Sequence, residues 1–204
     1  MTPRGETFSV HIITLLLSSL FIPTAIAAGS ATTGSDPGTG LAFWRYEAEG
    51  ILFELNQRLP DQTRAFFQAR GFDTDAANQF ATSCVFQSRL LNTAVAGGAS
   101  LQFNLNEWRV ISGNKSSSMA TTDDWMPRWK KQSIGQAARI AFKWSLLPTE
   151  QTYAPGDYNW GMTSYDQPPG TRFNLTLVWH REGRRESATI RNIECPADSP
   201  QETP

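Results

Sequence analysis

From Ser100 onward apolar residues recur at every second position, and that period constrains the fold more than any other feature of the chain. Leu101, Phe103 and Leu105 alternate with polar residues, as do Phe173, Leu175, Leu177 and Trp179. Ala138, Ile140, Phe142, Trp144 and Leu146 share this spacing, and Tyr158, Trp160 and Met162 mark a further short run. A strand sends successive side chains to opposite faces, so these runs predict half-buried strands with one wet face. Residues 186–195 predict a last strand, joined to 172–181 by a hairpin around Glu182-Gly183. Asp166-Gln167-Pro168-Pro169-Gly170 reads as a tight turn. Short strands at this spacing predict an antiparallel sandwich over residues 100–196.

Upstream the period is helical. Trp44, Ala48, Ile51, Leu55 and Leu59 form one stripe of an amphipathic helix, closed by Pro60. Asp61 opens a short helix that Gly71 stops, and Asp73 or Thr74 opens a third. The third carries Ala77, Phe80, Cys84 and Leu91 on one face, so Cys84 points toward a packed surface. Residues 41–96 are therefore expected to hold about three helices. Residues 28–40 are small, polar and turn-forming, and 197–204 resemble them, so a disordered linker and a disordered tail are expected. Residues 107–136 fit neither period. One strand is expected near residues 108–111 and an ordered surface excursion beyond it. The fold expectation is α+β and mainly β, with an N-terminal helical segment packed on a small immunoglobulin-like antiparallel β-sandwich.

Residues 1–27 have the layout of a secretory signal. A polar lead with one Arg precedes the apolar run at 12–21, Pro23 breaks that run, and Ala25-Ile26-Ala27 offers a small-x-small cleavage step. The run is about ten residues, where roughly 20 are needed to cross a bilayer, so no membrane span is expected after cleavage. The expected address is the periplasm for a bacterial source and the secreted fraction otherwise. Cys84 and Cys195 are the only cysteines. In an oxidising compartment the pair is most simply a disulfide, with two free thiols as the alternative. The closed loop of about 110 residues is worth on the order of 4–5 kcal/mol in the chain-entropy model.

Composition removes several function classes. Eighteen Lys and Arg against nineteen Asp and Glu give a net charge of −1, which offers no basic field for nucleic acid. His180 is the only histidine beyond the signal segment, and no Gly-x-Ser-x-Gly, His-x-His or His-Glu-x-x-His accompanies it. It reads as an exposed strand residue. Asp123-Asp124 are neighbours in sequence and point apart, so they read as a helix-start or turn feature rather than a hydrolytic pair. A copper-type set of Met119, Met126, Met162 and His180 is available, at irregular spacing, and no cofactor is expected. Asn114 and Asn174 begin glycosylation sequons, Asn174 within a strand.

Trp125-Met126-Pro127-Arg128-Trp129 has the composition of an interface. Either the two Trp rings fold back over an open sandwich edge, or Trp125, Arg128 and Trp129 meet a partner or stack on a sugar. The functional expectation is an exported, non-enzymatic interaction or accessory protein whose partner is another exported or envelope protein. The alternatives are a ligand-binding module for a glycan or copper-type metal, and an enzyme with its site between helices and sheet.

Overall fold

Phe173, Leu175, Leu177 and Trp179 all point inward from one ten-residue strand, the spine of the larger of two sheets. The computed structural model describes residues 25–26 and 29–198. Among these, the first sheet holds β2 (Gly29–Ser35), β3 (Ala42–Ala48), β4 (Ile51–Gln57), β5 (Val85–Leu91) and β10 (Tyr158–Ser164). Its order is β10-β5-β4-β3-β2, antiparallel at every pairing. The second holds β1 (Ala25–Ile26), β6 (Leu101–Asn104), β7 (Arg109–Ser112), β8 (Lys115–Ser117), β9 (Glu150–Tyr153), β11 (Arg172–Arg181) and β12 (Arg184–Glu194). β11 pairs with β12 on one side and with both β6 and β7 on the other. The β11–β12 hairpin turns at Glu182-Gly183, both at positive φ, as the sequence predicts.

The sheets bury one core between them. Trp44, Phe53 and Phe86 meet Phe103, Leu175 and Trp179, and the Trp108 indole N–H donates to the Val178 carbonyl at 2.9 Å. Cys84 and Cys195 form a disulfide inside this core, with Cα atoms 5.0 Å apart. The bridge ties the start of β5 to the end of β12, and so joins the sheets. A second core lies on the far side of the first sheet. There Val85 and Met162 meet Phe67, Phe80, Trp125, Trp129 and Phe142 from four helices, α1 (Pro60–Gln68), α2 (Thr74–Ala81), α3 (Thr122–Lys131) and α4 (Gln136–Ser145). The fold is α+β and mainly β, as expected, but its helices do not precede the sandwich. α1 and α2 lie between β4 and β5, and α3 and α4 between β8 and β9.

Four stretches differ from expectation. The third predicted helix stops at Ala81, so residues 41–96 hold two helices rather than about three; Cys84 follows at positive φ, and residues 85–91, with Leu91, form β5. Residues 41–59 form the β3–β4 hairpin rather than a helix. A helical step of four is also a multiple of two, and the step of seven is absorbed by the Glu49-Gly50 turn, where Ala48 pairs with Ile51. Pro60 accordingly opens α1 instead of closing a helix. Most of the expected linker, 29–35, is the edge strand β2. It buries little, but its backbone pairs with β3, and its glycines admit aromatic rings. A Cβ at Gly29 would lie 2.6 Å from Tyr46 Cζ, and one at Gly34 2.8 Å from Phe43 Cζ. Residues 136–145 form α4 rather than a strand. The proposed cleavage point after Ala27, the rest of the signal segment before Ala25, and residues 199–204 of the tail lie outside the described residues. Within the described part of the tail, Asp198 accepts from Arg64 at 2.6 Å.

Candidate binding cleft

The helical course of α4 decides which apolar side chains reach the surface. Alternate residues on a helix fall about 200° apart, so an every-second-residue apolar pattern splits between two faces. Ala138 and Phe142 are buried in the helical core. Ile140 and Trp144 point the other way, 49% and 83% exposed. Gly161 then sets where Trp144 stands. The Leu146–Leu147 segment leaving α4 crosses β10 so closely that a Cβ at position 161 would lie 2.5 Å from the Leu146 carbonyl carbon. The Leu147 N–H donates to the Met162 carbonyl at 2.9 Å. Trp160, next to Gly161 in β10, is 67% exposed, and Tyr158 is 58% exposed.

Trp144 and Trp160 line two cavities at once. One, of about 450 Å³, sets Asp123, Lys143, Thr149, Glu150 and Asn159 beside Leu146 and Pro148 in its wall. The other, of about 590 Å³, adds Arg58, Phe66, Arg70, Gln87 and Met162, and no Asp or Glu lines it. Both guanidinium groups lie against one ring. Arg58 Cζ is 5.0 Å and Arg70 Cζ 3.4 Å from the Phe66 centroid, and Arg70 donates to the Phe66 carbonyl at 2.8 Å. Burial and the Arg70 charge press the Arg58 guanidinium below its ordinary pKa. Arg58 Nε and Gln87 Nε2 are buried without a protein partner.

The outer face of β5 continues the pattern. Cross-strand register places Trp160, Arg89, Glu54 and Arg45 in one row. Arg89 lies 5.7 Å from the Tyr158 centroid. Burial alone would raise the Glu54 pKa. Hydrogen bonds from Asn56 and Arg45, with the charges of Arg45 and Arg89, hold it below its ordinary value.

The residues singled out in the sequence lie elsewhere. Trp125 and Trp129 are not on an irregular surface segment. They face inward from α3 at 1% and 0% exposure, stacked 5.0 Å apart, where no partner reaches them. Trp125 Nε1 donates to Ser164 Oγ at 2.8 Å, and Arg128 lies over the Trp125 ring at 4.6 Å. Asp124 caps α3 by accepting from the Thr121 N–H at 2.8 Å, so Asp123-Asp124 is a helix-start feature. Met119 belongs to the inter-sheet core, Met162 to the helical core and Met126 to the rim of the latter, so with His180 they form no common site. His180 Nε2 lies 3.1 Å from a Glu107 oxygen, beside a depression of about 230 Å³ that Ser100 also lines. Asn114 is exposed between β7 and β8, while Asn174 accepts from the Asn192 N–H at 3.0 Å.

Sequence reasoning missed Trp144, Trp160, Arg58, Arg70 and Gln87 as site residues. A signal was present. Residues 136–145 read QAARIAFKWS, rich in strong helix formers, and helical geometry alone would have put Ile140 and Trp144 outside.

No family model, no curated protein and no solved structure matches this chain. The immunoglobulin-like character expected from the strand spacing gains nothing from these comparisons. Among the described residues, no helix is long and apolar enough to cross a membrane.

Proposed function

We propose that the chain is an exported, non-enzymatic binding protein that takes a saccharide on the Trp144–Trp160 ridge. The observation that carries this reading is the pair of indoles, 83% and 67% exposed, standing between cavities of about 450 and 590 Å³. Large exposed apolar rings on regular secondary structure mark a binding surface. Sugar rings present flat C–H faces to such indoles while their hydroxyls need polar walls, which Lys143, Asn159 and Gln87 supply. The Cys84–Cys195 disulfide supports an oxidising compartment, in line with the signal-like residues 1–27. Calorimetric titration of the protein with a panel of neutral and acidic oligosaccharides tests the reading. Saturable binding that Trp144→Ala and Trp160→Ala each weaken at least tenfold is expected. Absence of binding across the panel would remove the saccharide.

A second reading, a protein partner, is favoured by the free edge of β10. Met162 and Ser164 direct their carbonyls away from β5, toward the Leu147 and Ala120 amides. Strand alternation points the backbone groups of Tyr158 and Trp160 the same way, available to an added strand. Loss of a co-purifying exported protein in Trp160→Pro, with no saccharide bound by the parent, would favour this alternative.

A further inference from the structure

We infer that the Arg58–Arg70 cavity holds the carboxylate of a uronic acid, so that the saccharide taken by the ridge is an acidic one. The inference rests on the reading of Trp144 and Trp160 as a saccharide platform, and it adds the charge of the ligand.

Two guanidinium groups converge on Phe66 at one end of the larger cavity. Among the described residues neither forms a salt bridge, and no Asp or Glu lines the cavity they share. Two like charges held together, with Arg58 partly buried, are costly unless an anion is supplied. Arg58 Nε and Gln87 Nε2 add two buried donors without partners in the wall of the same cavity. An orphaned buried donor is uncommon in a native protein, and two in one cavity mark a place for acceptors. A carboxylate is planar, carries about four lone-pair positions and matches the guanidinium fork. The apolar wall of Phe66, Ala141 and Met162 beside Trp144 and Trp160 suits the ring that bears it.

The test is a calorimetric titration at low salt with three acidic oligosaccharides, an oligogalacturonate, an alginate oligomer and a hyaluronate oligomer. The methyl ester of each serves as its neutral control. At least one acid is expected to bind tenfold or more tightly than its ester. Arg58→Gln and Arg70→Gln should each erase that difference, weakening the acid at least tenfold more than its ester. Arg58→Lys, which keeps the charge and loses the fork, should give an intermediate loss and guards against a variant that fails to fold. Trp144→Ala should weaken acid and ester together. Equal binding of acids and esters overturns the carboxylate and leaves the ridge reading standing. Tighter binding of a sulfated dextran than of any uronate also overturns it, in favour of a tetrahedral anion. Failure of every saccharide to bind overturns both readings.

Discussion

Gly161 and Leu146 are in backbone contact across β10, and no side chain fits between them. This approach fixes the chain that leaves α4 and with it the position of Trp144. Gly161→Ala is expected to destabilise the fold by about 1–3 kcal/mol, the usual cost of forcing a methyl group into an occupied space. Because the displaced segment follows Trp144 directly, ligand binding at the ridge should weaken as well. Calorimetric melting beside a titration checks both, and an unchanged melting temperature would contradict the contact.

The seven tryptophans divide by location rather than by sequence context. Trp125→Ala and Trp129→Ala each open a cavity in the helical core and should cost about 3–5 kcal/mol. Trp144→Ala and Trp160→Ala remove exposed rings and should change stability by less than about 1 kcal/mol. Chemical denaturation of the four variants reads this out directly. A large cost at Trp144, or a small one at Trp129, would reverse the assignment of core and surface.

The disulfide spans a sequence separation of 111 residues. Replacing both Cys84 and Cys195 by Ala should lower stability by about 2–5 kcal/mol. Peptide mapping of non-reduced protein should recover the two cysteines cross-linked. Quantitative alkylation of both in the native protein would refute the bridge.

Alkaline pH should weaken the fold through its buried phenols. Burial raises the Tyr165 pKa above its ordinary 10.0, against the lowering effect of hydrogen bonds with Thr163 and Ser88. Tyr46 is raised by burial and by the Glu186 charge, and Tyr153 by burial. Each native phenol thus keeps its proton where the unfolded chain releases it. The contribution is complete below about pH 10 and is lost progressively as pH rises through the native values. Denaturation midpoints should fall above about pH 10, and Tyr165→Phe should make that fall shallower. A midpoint that is flat through this range, or one that rises, would count against the assignment.

Much of the second sheet can be read from the residues themselves. Phe173, Leu175, Leu177 and Trp179 alternate because one face of β11 is core, while on the other only Val178 is buried. The cysteine pair is legible because only one pairing exists. The errors have a common cause, which is that periods of two and of 3.6 overlap over short spans. Trp44, Ala48, Ile51 and Leu55 satisfy both, and only the Glu49-Gly50 turn separates them. A strand reading of residues 138–146 puts Ile140 and Trp144 on the buried face, because it takes every apolar residue to be inside, and so it hides the cleft. Its two indoles come from a helix and a strand with β9 between them, and its two arginines flank a helix that nothing in the local pattern ties to β10.

The disulfide also has a mechanical consequence. Cys195 immediately follows β12, and Cys84 immediately precedes β5, which lies between β4 and β10. Tension applied to the residues after Cys195 therefore divides at the sulfur atoms. One branch enters the end of β12, and the other passes to an interior strand of the opposite sheet. Peeling β12 from β11 one hydrogen bond at a time would relieve only the first branch. A pull from the C-terminal side has to shear β5 against two neighbours as well, so the fold is braced along the direction in which a tether at that end would load it.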